Sequence, residues 1–229
     1  MVRLLPKHSV AITILIATVL GPLGAHAQPA TFHTASYVEV GPILAKVGAA
    51  TLRAYRDAER KHRGASNLEI YQRIDRPNQF VILGAWSDAK AFEAHQASEH
   101  AKALSGKLAT LLASPIDVRR HGALSESTAK PGKDPLVVVT HVDAIPPQKD
   151  SAVAALKQLA ADSHKQSGNL RFDVWQQADR PNHFTLVESW GSRGSFDLHQ
   201  MQRHTRDFRA KLAPISGSPY DERLYKTLK

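Results

Sequence analysis

Short blocks of alternating and periodic apolar residues run along this chain, and they return in the same order a second time. Ser36-Tyr37-Val38-Glu39-Val40 alternates with period two and predicts a strand; Leu136 to Val142 predicts its more continuously apolar counterpart. Each is followed by a break, Gly41-Pro42 or Pro146-Pro147, and then by helical spacing. Leu44, Val47, Gly48, Thr51, Leu52 and Tyr55 share one helix face, as do Ala152, Val153, Leu156, Leu159 and Ala160. Gly64 and Gly168 stand where a C′ glycine would stop those helices. Alternation resumes in Leu68 to Tyr71 and in Phe172 to Trp175. The Asp-Arg-Pro-Asn segments at 75–78 and 179–182 cannot continue a ladder, because proline donates no backbone N–H, so the chain turns there. The returning strands end at Trp86 and Trp190. Helical spacing then covers Ala91, Phe92 and His95, or Phe196, His199 and Met201. A further helix is expected over Ala101 to Leu112 or Thr205 to Leu212, and a last strand over Ile116 to Arg119 or Tyr220 to Leu224.

Residues 34–121 laid on 138–225, at an offset of 104 and without a gap, match at 24 of 88 positions, which identifies a duplication. A period this long fits one small domain per copy. The copies span 34–120 and 135–227, with a Ser-, Lys-, Gly- and Pro-containing linker at 121–134. Each reads β-α-β-β-α-β, a ferredoxin-like α+β domain. The strand Phe184 to Trp190 has apolar residues on both sides, Phe184, Leu186 and Trp190 on one and Val187 on the other. Helices must therefore cover one face of the sheet and a second sheet the other. The expected result is an intrachain pseudo-dimer, a dimeric α+β barrel made by one chain, with a cavity between or beside the sheets. A further homodimer is compatible with it.

Residues 1–27 carry Arg3 and Lys7, a short apolar stretch from Val10 to Leu20, and Ala25-His26-Ala27. These are the parts of a signal peptide cleaved after Ala27, which implies a periplasmic or secreted protein with no membrane attachment once cleaved. The absence of cysteine excludes disulfides, thiolate nucleophiles and thiolate-held metals. The net charge of +9 comes from scattered basic residues without a nucleic-acid-binding motif, so no nucleic-acid partner is expected.

Gly168-Asn169-Leu170-Arg171-Phe172-Asp173-Val174, then Phe184, Glu188-x-Trp190, Phe196, His199, His204, Phe208 and Leu212, resembles the antibiotic biosynthesis monooxygenase (ABM) family of the dimeric α+β-barrel superfamily. The resemblance spans both copies and is closest in copy two. It implies oxygenation of a small aromatic or quinol-like compound without metal, flavin or other cofactor. Such a reaction needs a base, a dry pocket and a means of steadying the substrate anion. His199 and then His204 are the candidate catalytic bases, because histidine titrates near neutrality. Trp190, Glu188, His141, Phe208, His95 and Trp86 are candidates for lining the pocket. Copy one has Gly84 where copy two has Glu188, so one working pocket, in copy two, is expected. His199 and His204 lie five apart, on diverging faces of a helix, which speaks against a metal site. In haem-degrading members the resemblance implies an iron-binding histidine where Leu104 and Phe208 stand, so haem is disfavoured. A non-enzymatic module that binds a small molecule is the alternative.

Overall fold

The computed structural model describes residues 32–60, 68–127 and 132–229. The signal peptide expected at 1–27 and Gly64 lie outside them. Copy one comprises β1 (Phe32–Glu39), α1 (Ala45–Glu59), β2 (Leu68–Arg73), β3 (Gln79–Trp86), α2 (Ala89–Gln96), α3 (Glu99–Ala109) and β4 (Asp117–Ser125). Copy two repeats it as β5 (Leu136–Asp143), α4 (Lys149–Ser163), β6 (Asn169–Gln177), β7 (His183–Trp190), α5 (Arg193–Met201), α6 (Arg203–Leu212) and β8 (Asp221–Thr227).

The repeated Asp-Arg-Pro-Asn segments are hairpin turns that also clamp the neighbouring strand. Asn78 Nδ2 donates to the Val40 carbonyl at 3.0 Å, and Asn182 Nδ2 donates to the Ala144 carbonyl at 2.7 Å. Gln72 and Gln176 donate to the turn carbonyls of Pro77 and Pro181, at 2.7 and 2.6 Å. The same side chains thus do the same work in both copies, which explains why this stretch matches so well. On α1, Gly48, Leu52 and Tyr55 are buried as the spacing predicts, but Val47 is half exposed, so the buried face is narrower than expected. Gly168 does not cap α4, which ends at Ser163; it sits in the turn into β6 with φ +83°.

Within each copy the strands lie side by side as β4-β1-β3-β2 and β8-β5-β7-β6, and the two sets join edge to edge in one closed barrel. β2 pairs antiparallel with β8 from Tyr71↔Thr227 to Arg73↔Tyr225. β4 pairs antiparallel with β6 from His121↔Gln177 to Ser125↔Val174. This is the expected intrachain dimeric α+β barrel. The strand β4 runs to Ser125, so the first five residues of the segment read as a linker, 121–125, belong to the barrel wall.

The core has three parts. Tyr71, Val81, Leu83, Val137, Val139, Trp175, Val187 and Tyr225 fill the barrel interior. Outside it, Leu52, Phe80 and Leu108 pack under the helices of copy one, and Phe172, Leu186, Trp190 and Phe208 under those of copy two. The interior also holds polar rings. His33 stacks on Trp175 at 4.3 Å, and His121 Nε2 lies 3.0 Å from the Thr185 hydroxyl. Burial pushes His121 down to about 3, so it sits there as neutral imidazole.

A Cβ at Gly168 would lie 2.4 Å from Ser195 Oγ, at a backbone angle that L-residues rarely adopt. Gly168→Ala should therefore destabilise the protein by about 1–3 kcal/mol in a denaturant melt.

Candidate functional site

β7 turns Glu188 and Trp190 towards the helices of copy two, where α5 brings His199 and α6 brings His204 and Phe208. The helix breaks between the histidines, at Gln202, whose φ −63° and ψ 147° are extended. That break places their rings 5.6 Å apart, although five residues of continuous helix would have separated them. Trp190 Nε1 donates to Glu188 Oε2 at 2.9 Å, and His199 lies against the Trp190 ring at 4.6 Å. His199 Nδ1 is 3.0 Å from Gln166 Oε1, an acceptor, so the ring proton belongs on Nδ1. Nε2 is then the bare nitrogen, 4.0 Å from Glu188 Oε2.

Burial lifts Glu188 to about 8 and lowers His199 to about 4, so near neutrality the pair is a carboxylic acid beside a neutral imidazole. Trp190, Glu188, His199 and Phe208 are 0, 2, 2 and 3% exposed, which makes this a closed polar core. His141 is elsewhere. It faces the barrel interior beside His183, with Nε2 3.3 Å from His183 Nδ1, and burial lowers it to about 4.

Copy one is built differently at the same positions. A cavity of about 140 Å³ lies between sheet and helices, with Trp86, Phe92, His95, Tyr55, Leu104 and Ile116 in its wall. Trp86 Nε1 donates to Thr34 Oγ1 at 3.0 Å, and His95 lies on the Trp86 ring at 4.7 Å. Trp86 rests over Gly84, where a Cβ would meet Thr34 Oγ1 and Trp86 Nε1 at 2.7 Å. At the offset of 104, Leu68, Gly84, Leu104, Ser105 and Ile116 correspond to Phe172, Glu188, Phe208, Arg209 and Tyr220. Larger side chains occupy in copy two the space that copy one leaves open.

His95 Nε2 is 3.1 Å from the Tyr55 hydroxyl and 3.2 Å from Glu59 Oε2, while its Nδ1 is buried without a partner among the described residues. Burial, with the Glu59 carboxylate beside it, holds the Tyr55 hydroxyl well above its usual range, so it stays protonated. Of the residues singled out in the sequence, His95 and Trp86 line the cavity. His199, His204, Glu188, Trp190 and Phe208 are gathered in copy two, and His141 joins neither group. Tyr55 and Glu59 had no part in the sequence reading as site residues. Their spacing of four on α1, which puts both on one face, was the available signal. Among the described residues no group of three or more His, Asp or Glu side chains could hold a metal ion. Leu104 lines the cavity at the position where the resemblance implies an iron-binding histidine in haem-degrading members.

The Glu188 carboxyl keeps its proton in the folded state up to about 8 but loses it in the unfolded chain near 4.5, so folded stability falls as pH rises between these values. Glu188→Gln removes that loss and leaves Trp190 an acceptor. The difference in melting temperature, variant minus wild type, should grow as pH is raised from about 5 to 8, at most by the equivalent of about 1.4 kcal/mol per pH unit.

The model of the family described as antibiotic biosynthesis monooxygenase matches residues 45–107 and 135–211, one segment in each copy. "Putative monooxygenase YcnE" of Bacillus subtilis is 21% identical over 86 residues, covering 38% of this chain and 90% of that protein. An uncharacterized protein of Synechocystis is 23% identical over 97 residues, 42% of this chain and 66% of its own length. A solved structure from Fusobacterium nucleatum, designated like YcnE, superposes with TM-score 0.79 at 13% identity, covering 89% of this chain and 94% of that one. At that identity the likeness shows the fold. The match in both copies, together with this barrel, makes the chain a tandem member of the antibiotic biosynthesis monooxygenase family.

Proposed function

We propose that the cavity of copy one is the working site, and that it oxygenates a small aromatic or quinol-like compound with dioxygen and no other cofactor. The observation that carries this is Nδ1 of His95, a buried ring nitrogen without a partner among the described residues, in a ring that lines a cavity more apolar than polar. An engineered apolar cavity of about 150 Å³ accepts benzene. A volume of about 140 Å³ therefore suits one substituted ring.

His95 takes the proton of a substrate hydroxyl, and the phenolate so formed is electron-rich enough to reduce dioxygen. For a hydroquinone, one oxygen atom replaces a ring C–H as C–OH and the ring is oxidised to the quinone. The second oxygen atom leaves as water with two of the hydrogens. Trp86 and Phe92 supply flat walls, and Thr34, Ser36, Tyr55, Gln96 and Ser105 supply the remaining polar side chains. Residues 1–27 would deliver the protein to the periplasm or the exterior, where this chemistry meets dissolved oxygen.

One observation favours the second reading, a binding module without turnover. Among the described residues the cavity wall contains no Lys or Arg to steady a phenolate. Oxygen consumption by residues 28–229 on a panel of single-ring hydroquinones and catechols separates the two. Uptake of one O₂ per substrate, reduced about 100-fold or more in His95→Ala, is expected. His199→Gln, a change in the packed core of copy two, should keep its turnover per folded molecule. Ligand-induced stabilisation without uptake above autoxidation would instead support the binding module.

A further inference from the structure

The two histidines at equivalent positions, His95 and His199, lie tilted against equivalent tryptophans at 4.7 and 4.6 Å, yet their shortest polar contacts run through opposite nitrogens. In copy two the closest contacts run through Nδ1, to Gln166 at 3.0 Å and Thr205 at 3.3 Å, with Nε2 farther from Thr205 Oγ1 at 3.5 Å and from Glu188 Oε2 at 4.0 Å. In copy one they run through Nε2, to Tyr55 at 3.1 Å and Glu59 at 3.2 Å. The groups that do this in copy one have no counterpart in copy two, where Leu159 and Ser163 stand in place of Tyr55 and Glu59.

Glu59 is also placed against its own preference. It is the last residue of α1, only 4% exposed, so a carboxylate is buried at the helix end where the macrodipole is itself negative. Such a position needs a compensating partner. A bare imidazole nitrogen 3.2 Å from Glu59 Oε2 would set a lone pair against a carboxylate oxygen, whereas an N–H there is attracted to it.

We infer that Glu59 is a positioning residue of the copy-one cavity: its carboxylate keeps the ring proton of His95 on Nε2 and so leaves Nδ1 as the free basic nitrogen. The Tyr55 hydroxyl then accepts from Nε2–H, and it is not what selects the tautomer, because a hydroxyl can donate or accept equally well. Copy two has Ser163 in place of Glu59, the Glu188 carboxyl 4.0 Å from its histidine Nε2 is protonated, and Gln166 there draws the ring proton to the other nitrogen.

Long-range proton–nitrogen correlation spectra of the ¹⁵N-histidine-labelled protein read the tautomers directly, whatever the reaction. In the wild type His95 should carry its proton on Nε2 and His199 on Nδ1. Glu59→Leu should move His95 to a mixture of tautomers, and Tyr55→Phe should leave it on Nε2. An Nδ1–H form of His95 in the wild type overturns the assignment. So do ring signals unchanged in a folded Glu59→Leu, or a proton displaced by Tyr55→Phe. If Glu59→Leu does not fold, the wild type and Tyr55→Phe decide.

The kinetic arm rests on the oxygenation proposed above. With hydroquinone as probe, Glu59→Leu should lower kcat about tenfold to a hundredfold while KM stays within about twofold. Absence of turnover in the wild type would refute the oxygenation, and the spectra would still decide the role of Glu59.

Discussion

The pairing of β2 with β8 and of β4 with β6 is the constraint on which everything else hangs. Each copy by itself is a four-stranded sheet with two open edges and an apolar inner face, an arrangement that invites further pairing with other chains. Joining both edges of one copy to both edges of the other removes the free edges and buries the inner faces together. It also leaves each sheet only one outer face, where its helices must pack. The helix-to-sheet layer of copy one and that of copy two are consequently separate compartments, and the cavity beside His95 lies within one of them instead of at the junction between copies.

Within that layer, a single position does much to decide what the compartment becomes. Gly84 lets the Trp86 indole settle over the strand and bond Thr34, whereas Glu188 fills the same place and takes the Trp190 N–H for itself. The carboxyl so buried is held neutral, and it faces an imidazole that is also neutral. Copy two thus fills its compartment with a buried carboxyl held by its own tryptophan, while copy one keeps a cavity beside a histidine whose Nδ1 has no partner among the described residues.

Much of the fold was legible in the sequence because duplicated local chemistry shows itself twice. The Asp-Arg-Pro-Asn turns, the alternation before them and the tryptophans after them located the hairpins, and the offset of 104 paired them. Less local features were hidden. The run of β4 past His121 depends on the partner strand β6, which no pattern in 121–125 reveals. The break at Gln202 overrode helical spacing and brought His199 and His204 together. The open compartment was hardest to see. It arises from several modest differences in side-chain volume, such as Leu68 against Phe172 and Leu104 against Phe208, each unremarkable alone. Glu59 escaped notice because a carboxylate at a helix end reads as solvated, and its counterpart Ser163 offered no repeated signal.

The covalent connection between the copies has a consequence for how such a protein can change over time. In a barrel assembled from two identical subunits, every substitution appears on both sides, so a residue that closes one compartment closes the other as well. Here Phe172, Glu188, Phe208 and Tyr220 could accumulate in one half while Leu68, Gly84, Leu104 and Ile116 persisted in the other. Gene duplication followed by fusion frees one half to become a rigid support, and selection on chemistry can then act on the remaining half alone.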